Sequence, residues 1–319
     1  MDVETETPPA GERTAPTGAP TGAPTGAGRI REVPSAREER GDDFTSQRHV
    51  YRPHRIGLPP LAPYLRAVWR RRQFTLELSR TNLRSSHFGT VFGQLWLVLN
   101  PLLLASVYFV LVEILRQHSG GATFFAHLMA GLFVFYFFHN SVSQGAKSVV
   151  GGGRLILNTA FPRALLPLSS VVTAFFRFLP TLVVYAVMHV IAGLPVGPHL
   201  LWALPIFVMI AVFATGVAML FAALQVYFRD LSSFLPYFLR IWLYASPILY
   251  YVHEVPARFK PILAINPLFP LLASWSDVLN MGKQPSAGLL LWGLGWALAA
   301  IVIGGLFFIS REREFAVRL

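Results

Sequence analysis

The sequence predicts an all-α polytopic membrane protein. We expect six transmembrane helices, an N-terminal amphipathic interfacial helix, and short re-entrant or surface helices between spans five and six. Hydrophobic residues make up 54% of the 319 residues and charged residues 13%, whereas soluble domains contain about 25% charged residues. The apolar residues form runs long enough to cross a bilayer, which takes about 20 residues per helix. The net charge of +11 lies beside these runs, which indicates contact with anionic lipid headgroups rather than nucleic acid.

Residues 1–57 are predicted to be a disordered cytoplasmic tail. They are rich in Pro, Gly, Thr and charge, and they contain the four-residue repeat APTGAPTGAPTGA. Such a composition cannot bury enough apolar surface to offset the conformational entropy of the chain. The segment also has no apolar run of the kind that a signal peptide contains. Both a solvated tail and a partner-binding tail fit this composition.

Residues 58–89 are predicted to form the interfacial amphipathic helix, with a helical pattern from residue 61 to residue 84. At about 100° per residue its apolar side chains share one stripe and its arginines lie off that stripe. This is typical of a helix that lies in the membrane plane. Phe74 and Leu78 form a second small apolar face, which would contact either a protein partner or the tail of the same chain. The stripe consists of Leu65, Val68, Trp69, Leu76 and Leu83.

Residues 90–319 are predicted to form a six-helix transmembrane domain. The interval 253–286 also contains an apolar run, but Pro256, Pro261, Pro267 and Pro270 interrupt that run, so the interval is either a seventh span or a pair of short re-entrant or surface helices. Outside the tail and the spans themselves, six spans place thirteen Lys and Arg on the side of the N-terminus and four on the other side, in agreement with the positive-inside rule. We therefore expect a multi-pass protein of the cytoplasmic membrane with both termini in the cytoplasm. The six predicted spans are residues 94–115, 122–143, 164–193, 200–228, 231–252 and 287–310.

The sequence contains no catalytic constellation, so a transport subunit rather than an enzyme is predicted. It has no cysteine, which excludes thiolate metal sites and a cysteine nucleophile. It also lacks the phosphate-binding motif G-x-x-x-x-G-K-[ST]. His127 and His139 lie twelve residues apart on one predicted helix, too far to share a metal, and no metal site is expected. A multispan membrane glycosyltransferase is an alternative from another class. It would need a cluster of acids or of His and Asp near the membrane, whereas we expect Asp230, near a cytoplasmic end, to anchor Arg229 in its loop.

Two arginines lie inside predicted spans, Arg177 in the third and Arg240 in the fifth. A charge at the bilayer centre costs at least ~2.5 kcal/mol on insertion scales, so such side chains usually face a bundle interior or a water-filled path. We expect these two arginines either to contact an anionic passenger or to form structural pairs. The aromatic side chains of Phe135, Tyr136 and Phe176 either pack in the protein or stack on the C–H faces of sugars along a substrate path.

Short motifs follow one another along the chain in a fixed order. They are GTVFGQLW at 89–96 with NP at 100–101, LI at 155–156 with FPR at 161–163 and LLPLS at 165–169, YFRDL at 227–231, SPILY at 246–250, and NP at 266–267. Together they resemble the ABC-2 type permeases, in the branch that exports cell-envelope polysaccharides such as O-antigen, teichoic acid and galactan. The Ala-, Gly- and Pro-rich tail suggests an actinobacterial source with a GC-rich genome, for which the resemblance implies a galactan exporter.

This resemblance implies a permease that acts with partners. The expected assembly is a homodimer of this chain with two separate ATPase subunits, which bind the ATP and Mg. The expected substrate is a lipid-linked polysaccharide, whose headgroup would enter near Arg80, Arg84 and Trp96. The loop around residues 153–162 would couple the chain to the ATPase, and the helices within 253–286 would form an external gate. The residues expected to couple are Arg154, Phe161, Arg163 and Arg229.

The chain departs from the family pattern in a three-residue segment before the first span. The family usually carries a basic–aromatic–basic triplet there, and this chain has Ser86-His87-Phe88, which moves the expected phosphate contact to Arg80 and Arg84. An ABC-2 drug or lipid efflux permease is the nearest alternative with the same fold. A secondary carrier normally shows internal repeats, and we find none.

Overall fold

A computed structural model describes residues 60–86, 92–116, 121–259, 263 and 265–319. Every regular element within these residues is an α-helix or a 3-10 turn, which confirms the all-α class. The predicted tail, residues 87–88 of the departing triplet and the first three residues of the GTVFGQLW motif lie outside the described residues. The helices are α1 Leu61–Arg70, α2 Arg72–Ser86, α3 Trp96–Arg116, α4 Gly121–Gly151, α5 Gly153–Asn158, α6 Leu165–Ile191, α7 Ala203–Tyr227, α8 Leu231–Tyr244, α9 Leu268–Leu279, α10 Ala287–Arg311 and α11 Phe315–Arg318.

Five helical segments in the described part of the chain are long and apolar enough to cross a membrane. They contain α3, α4, α6, α7 and α10, and they correspond to predicted spans one, two, three, four and six. The longest covers 32 residues and the shortest 19, against the roughly 20 that a bilayer core requires. The chain is therefore a multi-pass membrane protein.

Helix α8 is shorter than the predicted fifth span, residues 231–252. It has 14 residues, or about 21 Å at 1.5 Å per residue, whereas the hydrocarbon core is about 30 Å thick. The helix ends at Tyr244, just before Ser246-Pro247, because a proline disfavours the helical conformation of the residue that precedes it. The predicted fifth span is thus not a continuous helix of membrane-spanning length.

Helix α9 is the main element of the interval 253–286. All of its 12 residues except Asp277 are buried, since it packs against α4, α7 and α10. A helix of this length is too short for a seventh span, and neighbouring helices enclose it on nearly every side. Two 3-10 turns, Val252–Glu254 and Ala257–Phe259, precede it.

Asn266 holds the end of α8 against the start of α9. Its Oδ1 accepts hydrogen bonds from Trp242 Nε1 at 2.7 Å and from the Leu268 backbone N–H at 3.0 Å. Its Nδ2 donates to the Ala245 carbonyl at 3.0 Å and to Ser246 Oγ at 3.2 Å. Two donors and two acceptor positions are all that one side-chain amide offers, so every one of them is used here.

Changing Asn266 to aspartate is expected to lower the stability of the protein. A carboxylate has the same shape but donates no hydrogen bond, and it would face the Ala245 carbonyl. Losing a hydrogen-bond partner costs about 1–3 kcal/mol when the site is buried; Asn266 is half-buried, so we expect a cost of about 1 kcal/mol, which thermal unfolding in detergent would detect as a lower Tm. Asn158→Asp is the control, because the exposed Asn158 makes one hydrogen bond, to the Arg154 carbonyl at 2.8 Å. Equal Tm changes in the two variants would contradict this role of Asn266.

Helix α4 is the central helix of the bundle. It packs along α6 and α7 and also touches α3, α8 and α9. Its phenylalanine rings fill the interior, with Phe137 against Phe178 and Phe207, and Phe138 against Phe213. Much of the aromatic density of this span therefore builds the core.

Helices α7 and α10 cross with their backbones in contact. A Cβ atom at Gly216 would lie 2.2 Å from the carbonyl carbon of Ala300, and one at Gly304 would lie 2.0 Å from the Gly216 carbonyl oxygen. A residue larger than glycine at either position would force the two helices apart. Small residues at helix crossings are common in membranes, where close packing rather than water exclusion drives helix association.

The predicted interfacial helix is divided at Arg71 into α1 and α2. Leu65 and Trp69 of the predicted stripe are 59% and 69% exposed. The opposite side of α2 packs on α6, where the Ser79 hydroxyl donates to the Ser169 carbonyl at 2.9 Å. We call the end of the bundle that carries α1, α2, α5 and α11 the basic end.

Phe74 and Leu78, the second apolar face of this segment, are used within the same chain. The Phe74 ring lies 5.3 Å from the Phe161 ring in the connection between α5 and α6. Leu78 packs against the buried cluster at the basic end that includes Leu166. The contact with the α5–α6 connection is one that neither alternative drawn from the sequence included.

Candidate functional site

Two cavities follow the groove between α4 and α6. The middle cavity, about 390 Å³, lies between α3, α4 and α6. The basic-end cavity, about 620 Å³, is lined by residues of α2, α4, α5 and α6. Arg177 lines both cavities, so they form one feature, which we call the α4–α6 groove.

Polar side chains line this groove along both helices. They recur at spacings of three or four residues, which places them on one face of each helix. Each helix is otherwise apolar, so its overall composition does not reveal the polar stripe. From α4 come Tyr136, Asn140, Gln144, Lys147 and Ser148, and from α6 come Ser169, Ser170, Thr173, Arg177 and Thr181.

The hydroxyl groups of the groove donate to their own helices. Ser169, Thr173 and Thr181 each donate to a backbone carbonyl three or four residues earlier, at 2.7 Å. Such bonds are the usual way in which Ser and Thr are satisfied inside a helix. Because a hydroxyl oxygen also has two acceptor positions, these oxygens retain the capacity to accept hydrogen bonds from a ligand.

The groove is positively charged. Arg177, Lys147 and Arg154 line it, and no Asp or Glu is among the described residues that line either cavity. The Nε of Arg177 is buried and has no hydrogen-bond partner among the described residues. A guanidinium group presents a planar fork of donors that matches carboxylate and phosphate. The arrangement can therefore bind an anion at the middle of the membrane-spanning helices.

A second surface lies beside the groove on α3, α4 and α8. Arg240 is exposed on α8 and lies within electrostatic range of Tyr108 and Tyr136. The Tyr108 hydroxyl donates to the Tyr244 hydroxyl at 3.3 Å, and the two rings meet edge to face. We call these four residues the tyrosine surface. Since Tyr136 also lines the middle cavity, the two features meet at that residue.

The residues predicted for the substrate path lie in different parts of the structure, and not all of them line the groove. Arg177 and Tyr136 line the groove, and Arg240 lies on the tyrosine surface. Phe176 is half-buried beside Phe175, with ring centroids 6.1 Å apart, and lines neither cavity. Phe135 is 1% exposed in the protein core, where neighbouring helices enclose α4, and it lines neither cavity.

Of the three residues predicted for the lipid headgroup entrance, one lines a cavity and two do not. Trp96 lines the middle cavity. Arg80 is exposed and forms an ion pair with Glu77 at 2.7 Å, and Arg84 is exposed. The side chains of α2 that line the groove are instead Leu78, Asn82 and Ser85, which the sequence did not single out because their face is defined by the packing of α2 on α6.

The four predicted coupling residues lie at the basic end. Arg154 is exposed and lines the basic-end cavity, and Arg229 is exposed in the connection between α7 and α8. Phe161 and Arg163 are bound within the chain. Phe161 packs as described above, and the Arg163 backbone N–H donates to Glu312 Oε1 at 2.7 Å. Arg154 and Arg229 therefore remain on the surface of the single chain.

Comparison with known proteins places this geometry in a family. Residues 67–279 match the ABC-2 type transporter family. An O-antigen export system permease protein RfbA of Klebsiella pneumoniae is 30% identical over 207 residues, which cover 64% of this chain and 79% of the relative. The protein of the same name from Myxococcus xanthus is 29% identical over 265 residues, covering 79% and 97%. The family match includes the whole α4–α6 groove, and the chain belongs to the ABC-2 type transporter family.

Proposed function

We propose that this chain is the transmembrane permease subunit of an ATP-driven transporter that exports a lipid-linked cell-envelope polysaccharide. The α4–α6 groove is the observation that carries the proposal, because it is cationic, lined by hydroxyls and located within membrane-spanning helices. A lipid-linked glycan combines an anionic phosphate group with a chain of hydroxyls, and the groove offers donors to the first and acceptors to the second. The relatives named as O-antigen export permeases support the same class of passenger.

The basic end is the cytoplasmic end in this proposal. The positive-inside rule favours this orientation, and it places both termini in the cytoplasm of a protein in the cytoplasmic membrane. Helix α1 then lies in the membrane interface, with Leu65 and Trp69 toward the lipid. Helix α8 and the segment that follows it would together make the fifth of six crossings.

Two copies of the chain would assemble with two ATPase subunits, which would bind ATP and Mg. The tyrosine surface supports a second copy, because an exposed Arg240 would otherwise face hydrocarbon, at a cost of at least ~2.5 kcal/mol on insertion scales. Pairing two such surfaces would enclose a path lined by tyrosine and arginine. Arg154 and Arg229, exposed at the basic end, would contact the ATPase subunits.

Stimulation of an ATPase partner tests the proposed function. The chain co-purified with an ATPase subunit and reconstituted in vesicles is expected to hydrolyse ATP several-fold faster with a lipid-pyrophosphate-linked glycan than without it. The same lipid without pyrophosphate and glycan is the control and should not stimulate hydrolysis. Stimulation by plain lipid or by an apolar drug, without a response to the glycan lipid, would favour an efflux permease. Transport by the chain alone without ATP would contradict the proposal.

A further inference from the structure

Glu312 connects three distant parts of the chain at the basic end. It lies in the 3-10 turn Glu312–Glu314 that directly follows α10. Its carboxylate accepts a hydrogen bond from the Tyr64 hydroxyl of α1 at 2.5 Å and another from the Arg163 backbone N–H at 2.7 Å. The Arg163 guanidinium also donates to the Glu312 backbone carbonyl. One residue thus joins α1, the α5–α6 connection and α10.

The surroundings hold Glu312 in place. The rings of Phe308 and Phe315, on either side of the turn, are fully buried and pack edge to face at 5.2 Å. Burial, together with the neighbouring Glu312 carboxylate, raises the pKa of the Tyr64 hydroxyl well above its ordinary value. Tyr64 therefore keeps its proton and remains a donor at any physiological pH.

Two further contacts join the same connection to the kink between α1 and α2. The Arg71 guanidinium donates to the Ala160 carbonyl at 2.5 Å, and Phe74 packs on Phe161 as described above. The first contact comes from the kink residue, and the second comes from the first turn of α2. Glu312 adds the third link to this segment and also reaches α10, a membrane-spanning helix.

Glu314, two residues further on, gives a natural comparison. Its carboxylate accepts a hydrogen bond from the Tyr227 hydroxyl at 2.6 Å and pairs with Arg311 at 3.0 Å and Arg318 at 3.7 Å. In the described part of the chain these bonds stay between the end of α7 and the C-terminal segment. Glu314 therefore has the same type of bond to a tyrosine as Glu312, without a link to α1 or to the α5–α6 connection.

We propose that Glu312 is a positioning residue that makes α1, the α5–α6 connection and α10 move as one body. A displacement imposed on the connection by an ATPase subunit then reaches α1, and through it α2, whose side chains line the opening of the groove. The transfer of a displacement from an ATPase subunit to α1 and α2 rests on the proposed function. The rigid link that Glu312 forms between α1, the α5–α6 connection and α10 does not.

The rigid link is tested by distance measurements on the full chain. Because the sequence has no cysteine, cysteines at the exposed positions Arg66 and Thr159 accept spin labels selectively. In vesicles, Glu312→Gln and Tyr64→Phe are each expected to broaden the distribution of label distances. Glu314→Gln should leave the distribution unchanged. An unchanged distribution in both Glu312→Gln and Tyr64→Phe would overturn the proposal.

The functional consequence is tested on the complex with its ATPase. In Glu312→Gln and Tyr64→Phe, the glycan exported per ATP hydrolysed is expected to fall about fivefold or more, the lower end of the usual coupling between sites. The maximal rate of ATP hydrolysis should persist, and Glu314→Gln should export normally. Equal losses in the Glu312 and Glu314 variants would overturn the proposal. If the unmodified complex shows no glycan-dependent hydrolysis, the proposed function fails, and the label distances alone decide on the rigid link.

Discussion

Gly304→Ala is expected to remove most of the folded protein from the membrane. The added Cβ would lie 2.0 Å from the Gly216 carbonyl oxygen, so α7 and α10 must separate along their crossing. Overpacking usually costs about 1–3 kcal/mol, and a clash of backbone with backbone belongs at or beyond the upper end of that range. Loss of the monodisperse peak in size-exclusion chromatography of the solubilised protein would report the effect.

Gly305→Ala is the matched control for this variant. It is the next residue on the same helix, and a Cβ there would meet no atom within 4 Å. Alanine in a helix is more stable than glycine by roughly 0.5–1 kcal/mol, so this variant should be as stable as the unmodified protein or slightly more so. Opposite signs for two adjacent substitutions would be difficult to explain by composition alone. Similar losses in both would contradict the close helix crossing.

Arg177→Glu is expected to abolish export while the protein still folds. The substitution places a negative charge in a groove whose described lining has no Asp or Glu, so an anionic headgroup would be repelled where it was attracted. Loss of a buried charge contact of about 3 kcal/mol corresponds to about 100-fold in affinity. The decrease should be visible in glycan export and in the concentration of lipid-linked glycan that stimulates ATP hydrolysis.

A graded series separates binding from a structural role of Arg177. Arg177→Lys should keep part of the activity, because it retains the charge but not the planar fork of donors. Arg177→Gln should be intermediate between lysine and glutamate. Arg258→Glu is the control, since Arg258 is exposed in the 3-10 turn Ala257–Phe259, away from the groove. Normal export by Arg177→Gln would show that Arg177 only supports the structure.

The membrane class and five of the spans could be predicted because they depend on the length of apolar runs, which packing does not change. Arg177 could also be singled out, because a charge within an apolar run is conspicuous whichever way it faces. The groove itself could not be predicted. Phe135 and Tyr136 are adjacent and both aromatic, yet one is in the core and the other lines a cavity. In a helix that is apolar on every side, the sequence does not indicate which face meets which neighbour.

The remaining differences come from contacts between segments that are far apart in the chain. The prediction extended the fifth span beyond Tyr244, whereas α8 ends there, before Pro247, and hydrogen bonds from Asn266, some twenty residues later, hold that end in place. Glu312 was not singled out from the sequence. Its partner Tyr64 is 248 residues away, and no local pattern relates the two.

The hydroxyl groups of the α4–α6 groove have a kinetic consequence under the proposed function. The hydroxyls of Ser169, Thr173 and Thr181 donate their hydrogen bonds to backbone carbonyls of their own helix. A sugar that donates to these oxygens therefore breaks no hydrogen bond within the protein when it binds or when it leaves. Each such position would hold a passenger only briefly. The groove would then bind the sugars weakly along its length and bind the anionic headgroup most tightly at Arg177. Release of the anionic headgroup from Arg177 would then be the rate-limiting step of each export cycle.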